Sequence, residues 1–92
     1  MKFKKITGGT EEVTYKKFPW LKEAVFENAE VDITNFRPTW EGGVWEGGVW
    51  KGGTWEHGLW KDGTWKGGEM WNNRLQKYEK IKQVDREFKI TD

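Results

Sequence analysis

Six tryptophans recur every five residues in the middle of this chain, and they constrain its fold more than any other feature. They are Trp40, Trp45, Trp50, Trp55, Trp60 and Trp65. Side chains alternate between the faces of a strand, so residues five apart on one continuous flat strand would lie on opposite faces. A helix is disfavoured because each interspersed glycine costs about 1 kcal/mol relative to alanine. The chain must therefore turn once in every five-residue unit.

Glycines are placed to make these turns. The glycine two positions before the next tryptophan recurs at Gly43, Gly48, Gly53, Gly58 and Gly63. Glycine accepts a positive φ without steric cost, and a turn after every short strand builds a solenoid in which each unit stacks on an earlier one. Eight Trp and five Phe supply the apolar surface of a core in a chain of 92 residues. The pattern predicts an all-β solenoid.

A second five-residue pattern precedes the tryptophans. The small residues Ala24, Ala29 and Thr34 are each followed, two positions later, by an apolar residue. These apolar residues are Phe26, Val31 and Phe36. The pattern resembles the pentapeptide-repeat family, whose unit places a small residue two positions before a central Leu or Phe, and the resemblance extends over about half of the chain if Trp takes the central position. The frame slips by one residue near Pro38, and Trp is larger than the usual central residue.

The resemblance implies a right-handed, four-sided coil, and the charges that follow the central residues favour the same number of units. Stacked units lie about 4.8 Å apart, where like charges are unfavourable. With four units per coil, Glu41 lies over Lys61 and Glu46 over Lys66, whereas three units per coil place Glu41 over Glu56. We therefore expect about 2.5 coils of four units. The interior columns would be Phe26–Trp45–Trp65, Val31–Trp50–Met70, Phe36–Trp55 and Trp40–Trp60.

The ends of such a coil need caps, and the flanking segments are expected to supply them within a single domain. Residues 1–23 would form an N-terminal β element, a hairpin about Gly8-Gly9 with its second strand over 11–18, followed by a short helix that begins at Pro19. Residues 24–71 would form the solenoid. Within 72–92, the spacing of Leu75, Tyr78 and Ile81 predicts a helix over 73–86, and 88–91 could be a short strand.

Several classes of chemistry have no support in the residues. The chain has no Cys and a single His, so it lacks a thiolate or histidine metal site, and no phosphate loop or nucleophile–base spacing is present. The alternation of Glu and Lys after the tryptophans indicates a solvated ladder of charges rather than an acid–base pair. We expect a protein that is not an enzyme and needs no cofactor. A net charge of +1 and the lack of a long apolar run indicate a cytoplasmic protein that does not enter a membrane.

The orientation of the tryptophans separates two functional hypotheses. If the rings and Met70 fill the coil, function lies on the outer rows, where the candidate binding residues are Val44, Val49, Leu59, His57, Lys51, Lys61 and Lys66. The protein would then present a rigid surface to a protein partner or to its own copies. If the rings face outward, they could stack a nucleotide or a sugar beside lysines, as a sequestering protein would. The basic N-terminus, with Lys2, Lys4 and Lys5, could also contact phosphate.

Overall fold

The computed structural model describes residues 2–84 and 87–90, and it is mostly β-strand with one short α-helix. The helix is α1 (Glu11–Lys17), and a 3-10 turn follows it at Pro19–Leu21. The strands are β1 (Phe3–Thr7), β2 (Val25–Asp32), β3 (Thr39–Gly47), β4 (Val49–Trp50), β5 (Thr54–Trp55), β6 (Leu59–Trp60), β7 (Thr64–Trp65), β8 (Glu69–Asn72), β9 (Lys77–Val84) and β10 (Glu87–Ile90). The expectation of a mainly β structure is confirmed.

The N-terminal hairpin predicted from the sequence is wrong, because residues 11–17 are helical. Thr10 caps this helix, and its side chain accepts a hydrogen bond from the Val13 N–H at 3.3 Å. Acidic residues occupy the first turn and basic residues the last turn, which suits the helix dipole. Strand β1 instead pairs in parallel with β2, and α1 makes the connection between them. The predicted short helix at Pro19 is present only as the 3-10 turn.

Strand β2 runs antiparallel to β3 and brings the first apolar residues onto the tryptophans. Phe26 pairs with Trp45, and Val31 pairs with Trp40. Both Phe26 and Val31 are buried. Phe36 is fully exposed, at 100%, so its predicted place in the core is wrong. The chain leaves β2 after Asp32, whose carboxylate accepts a hydrogen bond from the Thr34 N–H at 2.9 Å, and this turn carries Phe36 outward.

In the tryptophan run, short parallel strands pair across three units rather than four. The pairs are Trp40 with Trp55, Trp45 with Trp60, Trp50 with Trp65, and Trp55 with Met70. Backbone hydrogen bonds follow the same spacing, as in the Glu56 N–H that donates to the Trp40 carbonyl at 2.8 Å. The predicted four-unit columns are therefore wrong. Among the strand pairings of the described residues, Phe26 with Trp45 is the one that matches a predicted column, and it joins antiparallel strands.

The tryptophan rings pack closely in this three-unit arrangement. Trp40 and Trp55 stack with their centroids 5.0 Å apart and their planes at 8°, and Trp45 stacks on Trp60 at 5.5 Å and 7°. Neighbouring stacks meet edge to face, as Trp40 and Trp45 do at 5.6 Å. Both arrangements are favourable for aromatic rings. Five of the six rings are buried, namely Trp40, Trp45, Trp50, Trp55 and Trp65, and Trp60 is half-buried.

The small-residue position of the repeat is a point of close approach between units. Gly43 has φ 106°. A Cβ on Gly43 would lie 2.8 Å from the Ala29 Cα, and one on Gly58 would lie 2.7 Å from the Trp40 Nε1. No side chain fits at that distance without displacing its neighbour. Like charges such as Lys51 and Lys66 follow paired tryptophans, but exposed charge pairs contribute less than about 1 kcal/mol and do not outweigh this packing.

The C-terminal helix predicted over 73–86 is also wrong. Strand β8 continues into an antiparallel pairing with β9, and β9 pairs with β10. The turn between β8 and β9 is fixed by the Asn72 side chain, whose Oδ1 accepts hydrogen bonds from the Arg74 and Leu75 N–H groups, and by Gln76 at φ 54°. Ile81 and Phe88 pack against the aromatic core. Residues 88–90 are in a strand, as the alternative expected, whereas residues 85, 86 and 91 lie outside the described residues.

Candidate binding surfaces

Five of the six repeated tryptophan rings are buried, so we look for a binding site on the outer surface. Among the described residues, no group of three or more His, Cys, Asp or Glu side chains could hold a metal ion. His57 is an exposed turn residue. Trp40, Trp45 and Trp50 have no accessible surface at all, and hence no face on which a ligand could stack. Among the described residues, the outer surface offers the edges of the sheets and several depressions.

The outer edges of the three sides of the tryptophan run differ from one another. Strand β5 is continued by β8, which pairs with it in parallel. Strand β6 pairs with β3 and with no other strand among the described residues. The side chain of Leu59 on β6 is 53% exposed, and its strand partner Val44 is half-buried beside it. This side therefore presents an open strand edge with an apolar side chain.

The third side is closed by a side chain. The Trp65 N–H donates to the Gln83 Oε1 at 2.9 Å, and the Gln83 Nε2 donates to the Gly63 carbonyl at 3.2 Å. The indole Nε1 of Trp65 donates to the Ile81 carbonyl at 3.0 Å. The amide of Gln83 thus offers β7 the donor and acceptor that another strand would offer. An edge satisfied in this way is a poor template for further pairing.

Tyr78 covers part of the first side. Its hydroxyl donates to the Glu56 Oε1 at 2.6 Å. This hydrogen bond is the main cause that raises the pKa of Tyr78 above its ordinary value, with smaller contributions from partial burial and from the charges of Glu56 and Glu69. The contact joins β9 to the exposed corner after β5. The hydrogen bond holds β9 against the tryptophan repeat.

A groove of about 320 Å³ lies beside the corners that follow β4 and β7. Its lining includes the aromatic rings of Trp20 and Phe36, the cations Arg37 and Lys51, and the backbone of Gly52 and Gly67. A second depression of about 580 Å³ adjoins it, shares Trp20 and Lys51, and adds Glu23 and Lys66. Aromatic surface and positive charge therefore converge around a floor of bare backbone.

The residues proposed from the sequence are distributed over these surfaces. Lys51, Lys66 and Val49 line the groove and its extension, whereas Val44 and Leu59 lie on the open side. Lys61 lines a different depression, beside Trp60 and Gln83. Sequence reasoning missed Trp20, Arg37 and the exposed position of Phe36. A signal for them existed, since Trp20 lies outside the repeat and Phe36 and Arg37 stand where the frame slips.

Within the described part of the chain, no helix is long and apolar enough to span a membrane. Comparisons with protein-family models, with curated proteins and with solved structures find no match for this chain, so its function is inferred from its own surface.

Proposed function

We propose that this protein is a non-enzymatic interaction protein, a short β-solenoid of the pentapeptide type wound with three units per coil, which presents a rigid surface to a protein partner or to a second copy of itself. The observation that carries the proposal is the open outer edge of β6. In the described residues β6 pairs only with β3, and Leu59 on it is half exposed. An unpaired edge with an apolar side chain favours the addition of an extended segment from another chain.

The surroundings of β6 leave room for such a segment. A depression of about 350 Å³ adjoins the strand, lined by Trp60, Lys61, Gly63 and Phe88 among others. Phe88 meets the Trp60 ring edge to face, with centroids 5.4 Å apart, which holds the half-buried ring in place. An incoming strand would pair with the β6 backbone and place an apolar side chain against Leu59. The stacked tryptophans beneath make the site rigid, which reduces the entropy lost on binding.

The experiment is crosslinking from the proposed edge. A photo-reactive amino acid is placed at Leu59 and, as the matched control, at Leu75, which is equally exposed at 54% but lies in the β8–β9 turn. We expect discrete adducts from position 59 in cells that express the protein, and weaker or no adducts from position 75. Light scattering across concentrations then shows whether the partner is a second copy. A monomer that gives the same adducts from both positions would contradict the proposal.

A further inference from the structure

We propose that the groove between Trp20, Phe36 and the Lys51–Lys66 row binds single-stranded nucleic acid. The proposal goes beyond the interaction at β6 and uses a different edge of the repeat, so either can fail without the other. It rests on three independent features of the groove: its bare floor, its unbalanced charge and its exposed aromatic surface.

Among the described residues that line the groove there are three glycines, and two of them, Gly52 and Gly67, stand where the fold does not require glycine. Gly52 and Gly67 do not have a positive φ. A Cβ on Gly52 would meet nothing within 4 Å, and one on Gly67 would be in ordinary contact with the Lys51 carbonyl at 3.8 Å. The same position of the repeat holds His57 and Asp62 in other units, so larger residues are accommodated there. Glycine at these two sites keeps the backbone open to a close approach, which is a recognised use of glycine at ligand sites.

The positive charge of the groove is not balanced by the fold. Lys51 and Lys66 directly follow the paired residues Trp50 and Trp65, so they project from adjacent strands about 4.8 Å apart. Arg37 adds a third cation, and among the described residues Glu23 is the single carboxylate lining the groove and its extension. No ion pair involving these three cations is formed in the described residues. Adjacent like charges repel each other in the free protein, and a row of phosphates would relieve that repulsion.

The aromatic surface of the groove is available for stacking. Phe36 is fully exposed, which gives it no part in the core. Trp20 meets Trp50 edge to face, with centroids 5.2 Å apart, and Phe18 at 6.1 Å, and it remains half-buried. Exposed aromatic rings next to a cationic track are the arrangement by which proteins bind single strands without reading sequence. A duplex keeps its bases stacked on one another and offers no ring to Phe36.

The test measures the anisotropy of a fluorescein-labelled eight-nucleotide dT strand titrated with the full chain, at several salt concentrations. We expect saturable binding that weakens as salt rises. In the double variant Lys51→Gln with Lys66→Gln, we expect at least a tenfold loss, with a salt slope smaller by about 1.4 if two phosphate contacts are lost. In Phe36→Ala, the loss should be roughly fivefold to a hundredfold, because one stacked base is lost.

Glycine variants provide the matched control. Gly52→Leu fills the floor of the groove and should weaken binding at least tenfold. Gly47→Leu makes the same change at the same position of another unit, where a Cβ also meets nothing within 4 Å, and should leave binding unchanged. Thermal melts of both variants separate loss of binding from loss of fold. Lys4→Gln with Lys5→Gln tests the basic N-terminus, and this pair should also have no effect.

Competition with other polyanions tests whether the groove prefers single-stranded nucleic acid. An equal-length DNA duplex and an eight-residue polyglutamate peptide compete with the labelled strand. We expect both to compete at least tenfold less well than unlabelled dT. The proposal is overturned if the strand does not bind at low salt, if polyglutamate competes as well as dT, or if the groove variants bind as the unmodified chain does.

Discussion

Gln83 and Trp65 are joined by a side-chain hydrogen bond that ends the β4–β7 sheet, with the Trp65 N–H 2.9 Å from the Gln83 Oε1. The same amide reaches the Gly63 carbonyl at 3.2 Å. Gln83→Met keeps the length of the side chain but leaves both backbone groups without this partner. We expect the free energy of unfolding to fall by about 1–3 kcal/mol. Urea denaturation followed by tryptophan fluorescence measures this change. Lys82→Met, at the exposed neighbouring position, should cost little, and an equal loss in both variants would contradict the role of Gln83.

The two glycine positions of the repeat should respond differently to the same substitution. Gly43→Ala forces a side chain into φ 106°, where its Cβ would lie 2.8 Å from the Ala29 Cα. We expect it to lower the free energy of unfolding by about 2–4 kcal/mol through backbone strain and overpacking. Gly47→Ala meets open space at an ordinary φ and should be neutral or slightly stabilising. Chemical denaturation measures the free energy of unfolding of each variant. If both variants lose the same stability, the close approach at Gly43 is not the reason that this position requires glycine.

Two tryptophans in the core should differ in how they tolerate Phe. The indole Nε1 of Trp45 is buried and has no hydrogen-bond partner among the described residues, whereas the Trp65 Nε1 donates to the Ile81 carbonyl at 3.0 Å. Both substitutions remove the same atoms from a buried side chain. Trp65→Phe also breaks a hydrogen bond, while Trp45→Phe removes an unsatisfied donor. We expect Trp65→Phe to cost at least about 1 kcal/mol more. Thermal or urea unfolding measures the stability lost in each variant. A larger loss in Trp45→Phe than in Trp65→Phe would show that the lost packing outweighs the lost hydrogen bond.

The bond between Tyr78 and Glu56 should make stability fall at alkaline pH. The hydrogen bond raises the pKa of Tyr78 in the folded protein above its ordinary value of 10.0. The folded state then retains the phenolic proton more strongly than the unfolded state, so this contribution is fully present below pH 10 and is lost as pH rises through the folded pKa. Glu56→Gln should lower the pKa of Tyr78, as measured by the pH titration of its ring carbon shifts. Tyr15 is the internal control, since burial is the first cause that raises its pKa and Glu11 the next.

The termini show where sequence patterns compete. Residues 11–17 contain Val13, Thr14 and Tyr15, which favour a strand, but the Thr10 cap and the charge order of Glu11 and Lys17 favour a helix, and these capping signals prevailed. In the C-terminal segment, Leu75, Tyr78 and Ile81 have helical spacing. Strand pairing overrides it, because β9 pairs with the backbone of β8 and its Ile81 carbonyl accepts a hydrogen bond from the Trp65 indole.

The residues that line the groove come together through long-range contacts that the sequence alone does not predict. The repeat positions of Lys51 and Lys66 predict that both lie on the surface, yet the two residues become neighbours only because Trp50 pairs with Trp65. Trp20 and Phe36 belong to different segments, and their meeting depends on how the N-terminal turn packs against β4. Such long-range contacts leave no periodic trace along the chain.

The sequence by itself determined that the chain turns once every five residues and that glycine must stand at the turns, because strand parity and φ are local properties of the chain. Only the tertiary structure decided that Trp40 pairs with Trp55, three units away, and that Phe36 faces outward. The number of units between partners depends on how indole rings stack and how closely Gly43 and Gly58 approach neighbouring units. The surface charges that favoured four units were too well solvated to oppose that packing.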